Sequence, residues 1–263
     1  MNTHIREPAV AGTFYPADTA TLQNEINYLL AEISTTTDTV PRAIIVPHAG
    51  YAYSGSVAAS AYHTLLQYRD KIKKVVLLGP SHRVAVNGLA LSNANFFATP
   101  LGNIPIDQTA NKMLAHQRDV NLNEEAHLYE HSLEVHLPFL QTVLDDFLLV
   151  PIVVGDATPE RVATVLEELI TDDSTLCVTS TDLSHFHNYP TAQKQDRATS
   201  LSIVAMDYKK IGDKDACGRN PLNGVLCWAK IHHLKVTQLD VRNSGDTAGS
   251  MDRVVGYGSY LIS

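Results

Sequence analysis

Three segments of the chain share one pattern, in which a short apolar run leads directly into a turn that carries a histidine. The runs cover 43–47, 74–78 and 176–179, and the turns contain His48, His82 and His185. Apolar runs rich in β-branched residues and bounded by glycine or proline predict strands that are buried on both faces, as in a parallel sheet. Because ligands bind beyond the carboxyl ends of the strands in open α/β sheets, we expect the three imidazoles to converge.

The segment 54–70, between the first two predicted strands, has apolar residues at helical spacing. A strand, a helix and a second strand in this order form a βαβ unit, whose strands are parallel and whose crossover is almost always right-handed. His48 and His82 are therefore expected at the ends of neighbouring parallel strands, on the same edge of the sheet.

The rest of the chain continues to alternate between strand-like and helix-like patterns. We predict a hairpin within 88–106, formed by two apolar runs around 93–95, helices over 107–118, 159–170, 191–208 and 220–232, and strands over 147–154, 235–241 and 254–262. There is no internal repeat and no low-complexity linker. The pattern predicts one α/β domain over residues 1–263, with a central, mostly parallel sheet flanked by helices.

The composition narrows the class of protein. Hydrophobic residues make up 44% of the chain and charged residues 18%, and the net charge is −8. This balance argues against nucleic acids and anionic membrane surfaces as partners, and no apolar run is long enough for a transmembrane helix. The three cysteines form no CxxC pair, which is typical of a reducing compartment. We expect a cytoplasmic protein, and the sequence leaves its oligomeric state open.

Two histidines and a carboxylate on one face of a metal leave positions open for O₂ and substrate, as in non-haem Fe(II) oxygenases. Asp246, in the polar loop that follows the predicted strand 235–241, is the preferred third ligand, and Asp182 is the alternative. His185 is then free to act as a general acid or base, because an unperturbed imidazole titrates near neutral pH.

A competing motif lies at 127–131, where the sequence His-Leu-Tyr-Glu-His matches the H-x-x-E-H pattern of inverted zinc proteases. We rank it lower, because a five-residue pattern arises easily by chance in a chain with 12 histidines. Inverted zinc proteases also do not carry their histidines at the ends of sheet strands.

Cys217 precedes a predicted helix, and three roles are open for it: a reactive thiol, an anion contact or a structural residue.

Six sequence blocks together resemble the Memo family, whose prokaryotic members are often called AmmeMemoRadiSam system protein B. In order along the chain, they lie at 6–16, 47–55, 78–82, 130–139, 180–185 and 256–258. The resemblance implies a LigB-like fold related to the class III extradiol dioxygenases. It also implies metal ligands at His48, His82 and His185, with Asp182 beside them.

Eukaryotic members of that family place a cysteine where this chain has Asp246 and Thr247. A carboxylate in place of a thiolate favours a harder metal. We therefore hypothesise a mononuclear site for Fe(II), with zinc or copper as alternative ions.

The resulting working hypothesis is a metal-dependent oxidoreductase that acts on a small molecule or a peptide. In this hypothesis, His48, His82 and Asp246 hold the ion, and His185 moves a proton. Asp182 or Glu134 orients one of the imidazoles. Tyr51 and His131 line the pocket. Two alternatives from other classes remain: a binding protein that uses the same pocket without turnover, and a zinc-dependent hydrolase.

Overall fold

Strands alternate with helices along almost the whole chain. The computed structural model describes residues 3–263. The strands of this part are, in chain order, β1 (Ile5–Arg6), β2 (Ala43–Val46), β3 (Lys74–Pro80), β4 (Leu89–Leu91), β5 (Phe96–Thr99), β6 (Gly102–Pro105), β7 (Val120–Leu122), β8 (Leu148–Val154), β9 (Thr175–Ser180), β10 (His185–His187), β11 (Val236–Asn243) and β12 (Val254–Ile262).

The helices are mostly short, and polar residues cap several of them. They are α1 (Thr19–Ala31), α2 (Tyr51–Tyr62), α3 (Gln108–Leu114), α4 (Glu124–Leu128), α5 (His131–Glu134), α6 (Leu137–Val143), α7 (Pro159–Leu169), α8 (Tyr189–Val204) and α9 (Arg219–Ile231). Asp18, Thr158 and Asn188 accept hydrogen bonds from the first turns of α1, α7 and α8, as N-capping residues do.

The main sheet is parallel in the centre and antiparallel towards its ends. Its order is β10-β12-β2-β9-β3-β8-β4-β7, and β11 also pairs with β12. The strands β2, β9, β3 and β8 are parallel, whereas β12 runs antiparallel to β2 and β4 antiparallel to β8. The predicted α/β class is confirmed, but the sheet is mixed. The prediction that β2 and β3 are neighbours is wrong, because β9 lies between them.

Each central strand contributes side chains to two cores, one on each face of the sheet. In β2, Ile44 and Val46 point to the core that includes residues of α1, α2 and α6, whereas Ala43 and Ile45 point to the core beneath α3, α7 and α9. All of these strand residues are fully buried, which explains why β2 has an uninterrupted apolar sequence. Burying one such isoleucine contributes about 1.5–3 kcal/mol.

Several predicted elements differ from those observed, and the helix predicted over 107–118 is the shorter α3. The predicted helix 54–70 is α2 followed by a 3₁₀ turn, His63–Tyr68. The hairpin predicted around residues 93–95 is wrong, because the strands on either side, β4 and β5, do not pair, and β5 instead forms a hairpin with β6. That hairpin forms a small separate sheet with β1, whereas β4 joins the main sheet. No helix in residues 3–263 is both long enough and apolar enough to cross a membrane.

Gly79 allows α5 to pack directly against β3. A Cβ atom at this position would lie 2.7 Å from the Ser132 hydroxyl and 2.8 Å from the Leu133 side chain, closer than atoms can approach. The absence of a side chain here brings the start of α5, and with it His131, to the carboxyl end of β3.

Candidate metal centre

Three imidazoles meet beyond the carboxyl ends of β2 and β3. His48 follows β2 and His82 follows β3, and their ring centroids are 5.1 Å apart. His131, the first residue of α5, lies 5.5 Å from the His48 ring and 4.7 Å from the His82 ring. One ring nitrogen from each lies within 4.8 Å of the other two. This spacing is compatible with a shared metal ion.

Hydrogen bonds fix the His48 ring in one tautomer. The Ser180 hydroxyl donates to the Ser132 carbonyl (2.7 Å) and lies 2.6 Å from His48 Nδ1. Because the single hydroxyl proton is already used, Nδ1 must carry a proton and donate it to Ser180. The lone pair of His48 therefore lies on Nε2. Burial lowers the pKa of His48 well below its usual value, with smaller contributions from the neighbouring histidines, so the ring is neutral.

Glu130 fixes the tautomer of His82 by accepting a hydrogen bond from its Nδ1 atom. Its Oε1 lies 2.9 Å from His82 Nδ1, and its Oε2 accepts the His82 backbone N–H at 2.6 Å. Burial alone would raise the pKa of Glu130, but hydrogen bonds from His82 lower it to about 2. The ionised carboxylate holds the Nδ1 proton, which leaves the Nε2 lone pair of His82 available to a metal.

We predict that Glu130→Gln reduces metal affinity by about 10–100-fold, the range found when outer-shell partners of ligating histidines are removed. An amide can still accept from the amides of α5 that Glu130 caps, but it no longer makes the His82 nitrogen more basic. Metal titration by calorimetry measures the change. Asn123→Ala, which removes the cap of the neighbouring α4, is the control, and an equal loss in both variants would attribute the effect to helix capping.

The Asp182 carboxylate lies close to the Nε2 atom of His48. It follows β9, the strand between the two histidine-bearing strands, and its Oδ1 accepts the His48 backbone N–H at 2.8 Å. Its Oδ2 lies 3.9 Å from His48 Nε2. Burial raises the pKa of Asp182 to about 7, although backbone hydrogen bonds from His48 and Ala49 oppose this. A nearby cation would hold it in the ionised form.

Cys217 also reaches the cluster, from the segment that precedes α9. Its Sγ lies 3.3 Å from His48 Nε2 and accepts the Asp182 backbone N–H at 3.4 Å. Burial, and then the Asp182 carboxylate, raise the pKa of the thiol to about 12. The sequence left the role of Cys217 open, and no spacing rule connects it with a histidine far away in the chain.

The cluster opens into a cavity of about 570 Å³. His185 lines this cavity, and its Nδ1 lies 2.8 Å from the Leu183 carbonyl. A carbonyl can only accept, so Nδ1 carries the proton and Nε2 keeps the lone pair. Burial lowers the pKa of His185, which keeps the ring neutral and able to accept a proton. The walls include Phe14, Tyr53 and Tyr257.

Comparison with known proteins now identifies the family. The family model described as "Memo-like protein" matches residues 6–261. The chain belongs to the Memo family. Proteins named as MEMO1 family proteins from Metallosphaera sedula and Saccharolobus solfataricus are 34% and 35% identical, and each alignment covers 96% of this chain and 97% of the relative. The resemblance inferred from the six sequence blocks is confirmed.

A solved structure extends the comparison to the fold. An uncharacterized protein from Escherichia coli K12 matches with a TM-score of 0.57 over 86% of this chain and 100% of that one. The two are only 15% identical, so this likeness concerns the fold alone.

In this Memo-family chain, the structure does not bring Asp246 to the histidines. Its Oδ1 accepts the Tyr189 hydroxyl at 2.5 Å and its Oδ2 accepts the Asn243 backbone N–H at 2.8 Å. Asp246 lines a different cavity, next to α8, whereas Ser244 of the same loop lines the histidine cavity. The expected carboxylate ligand Asp246 therefore lies outside the cluster in this structure, whereas Asp182 Oδ2 lies 3.9 Å from His48 Nε2.

Glu134 has also turned away from the cavity. It pairs with the buried Arg6 guanidinium and accepts the Tyr15 hydroxyl at 2.6 Å. It further accepts the backbone N–H groups of Ala9 and Val10 at 2.8 and 2.9 Å. Glu134 thus fastens the segment 6–15 to α5, and the expectation that it orients an imidazole is corrected. That segment carries Phe14, whose ring centroid is 4.9 Å from that of His131.

Tyr51 and His127 are likewise buried outside the cavity. The Tyr51 hydroxyl donates to the Val135 carbonyl at 2.7 Å, and Tyr53 lines the cavity instead. His127 Nε2 lies 3.0 Å from the Ala90 carbonyl. Because α4 ends before Glu130, His127 and His131 do not share a helix. The motif at 127–131 does not form the protease arrangement in this structure.

Proposed function

We propose that this Memo-family protein binds one divalent metal ion through His48 and His82 and uses it in an oxidation that resembles extradiol dioxygenase chemistry. One observation carries the proposal: two neutral imidazoles have their Nδ1 protons held by Ser180 and Glu130, so both Nε2 atoms keep a lone pair that can bind a metal. The Cys217 thiol, 3.3 Å from His48 Nε2, is the neighbour that an ion would displace from this nitrogen. Ligating histidines typically use the second nitrogen in this way.

The donor set favours Fe(II) if Asp182 completes it, because two histidines and one carboxylate form the facial arrangement of non-haem iron oxygenases. The buried Asp182 carboxyl would supply the negative charge that two neutral imidazoles lack. When bound, the ion would provide open positions for O₂ and for substrate oxygens. The aromatic walls of the cavity would exclude water around an aromatic or apolar substrate.

His185 is proposed as the general base, since its ring is neutral and its Nε2 is not used by the Leu183 carbonyl. A proton removed from a substrate hydroxyl would rest on this nitrogen until it is returned. His131, which packs against the His82 ring at an angle of 23°, would form the opposite side of the site.

A zinc-dependent hydrolase is the second candidate, and His131 favours it. Three histidine nitrogens within 4.8 Å of one another correspond to the three-histidine sites in which zinc activates a water molecule. In this candidate, His131 rather than Asp182 is the third ligand. A binding protein without turnover is the remaining alternative, and it requires a site with no exchangeable position.

The test is anaerobic purification followed by elemental analysis, and then O₂ uptake with catechol as the probe. Iron bound in a ratio near one per chain, together with O₂ uptake on addition of catechol, supports the oxygenase proposal. Bound zinc without O₂ uptake, combined with loss of metal in His131→Gln but not in Asp182→Asn, supports the hydrolase. A protein that binds neither ion overturns both.

A further inference from the structure

One positively charged side chain, that of Arg253, lines the histidine cavity at its exposed edge. Among the described residues that line this cavity, Arg253 is the one lysine or arginine. No ion pair of Arg253 is found in residues 3–263. Its guanidinium lies over the Phe186 ring, 4.9 Å from the centroid. This stacking holds the charge in place while its N–H groups remain free to donate.

Phe186 is held in an unusual conformation. Its φ is 61°, in the left-handed region that bulky side chains rarely adopt, and the residue is 62% exposed. A non-glycine residue in this region is strained, and such residues often cluster at active sites and ligand clamps. The Phe186 ring lies edge-on to His185, with centroids 5.7 Å apart. The strained residue thus connects the rim cation with a histidine of the site.

We propose that Arg253 binds a carboxylate on the ligand and so selects small aromatic acids over neutral molecules. The inference rests on the proposed function, because the other end of the same ligand must reach the histidine cluster. The walls formed by Phe14, Tyr53 and Tyr257 match a flat apolar centre between these two polar ends.

The charges in the cavity support this choice. Among the described residues that line the cavity, Arg253 is the one lysine or arginine, so it is the fixed positive charge that these side chains present to a ligand. A planar guanidinium can donate two parallel hydrogen bonds to a carboxylate, a geometry that a neutral substituent cannot satisfy.

The experiment uses protein loaded with Zn(II), which is redox-inactive, and measures binding by calorimetry. The probes are catechol, 3,4-dihydroxybenzoate and 3,4-dihydroxyphenylacetate, which share a ring and differ in the carboxylate and its reach. For the wild type we expect at least one acid to bind about tenfold more tightly than catechol, the gain typical of a charged hydrogen bond. Arg253→Gln should abolish the preference without changing catechol binding, and Arg253→Lys should keep part of it.

Arg197→Gln is the matched control, because Arg197 lines a different cavity beside α8 and should leave the preference intact. Equal binding of acid and catechol by the wild type, or an acid preference that survives in Arg253→Gln, overturns the inference while the metal site stands. If catechol does not bind, the proposed function fails. The role of Arg253 is then tested separately, by measuring the binding of benzoate to metal-free protein. Loss of benzoate binding in Arg253→Gln supports it, and no binding of benzoate to the wild type overturns it.

Discussion

His82→Ala is expected to lose its metal almost completely, with an affinity at least about 100-fold below that of the wild type. The loss should exceed the 10–100-fold effect of removing an outer-shell partner, because a direct donor disappears. The fold should tolerate the change, since the His82 side chain is 29% exposed. Elemental analysis of protein loaded anaerobically with Fe(II) measures the effect, and circular dichroism verifies the fold.

Two variants control this experiment. His116→Ala removes an exposed histidine and should not change the metal content. Asp246→Ala removes the carboxylate that the sequence favoured as a ligand, and it should also keep the metal. It should cost only about 1 kcal/mol of stability, because Asp246 takes part in the capping box of its own turn. A metal-free Asp246→Ala beside a metal-loaded His82→Ala would show that the donor set has been assigned to the wrong residues.

Glu134→Ala is expected to destabilise the protein by about 3–5 kcal/mol, the range for removing one partner of a buried ion pair. The Arg6 and Glu134 side chains are 3% and 0% exposed, so the substitution leaves a buried guanidinium without its counter-charge. Urea unfolding of the metal-free protein measures the change. Glu167→Ala is the control, because Glu167 pairs with His232 at the surface, where ion pairs contribute less than about 1 kcal/mol.

A double variant separates the two roles that Glu134 has been given. Arg6→Met combined with Glu134→Leu removes both charges and should recover part of the lost stability, since no buried charge is left unpaired. A Glu134→Ala protein of wild-type stability that has nevertheless lost its metal would return Glu134 to the site, as the sequence first suggested.

The sequence predicted the meeting of His48 and His82 because that meeting depends on strand polarity alone. Two parallel strands that belong to one βαβ unit must end on the same edge of a sheet, whatever lies between them. The intervening β9 was not predictable in this way, because strand order is decided by tertiary packing. Its insertion places Ser180 and Asp182 between the two histidines, where each forms a hydrogen bond to His48.

The side chains that the sequence placed wrongly lie on short, irregular elements. Asp246 belongs to a one-turn 3₁₀ helix whose two sides face different cavities, and composition does not show which side a carboxylate will take. Glu134 follows His131 at helical spacing, but α5 has only 4 residues. Arg6, which draws Glu134 away, comes from a distant strand. Such long-range pairings leave no local pattern in a sequence.

The position of β12 in the sheet has a consequence for the order in which the cavity forms during folding. This strand pairs with β2, β10 and β11 and carries Tyr257 of the cavity wall, yet it follows every histidine of the cluster in the sequence. A growing chain therefore contains all the donor atoms while one edge of β2 is still unpaired, a state prone to wrong strand pairing. The cavity wall is complete only when residues 254–262 have been synthesised and have docked, so the donor atoms exist in the chain before the cavity that encloses them.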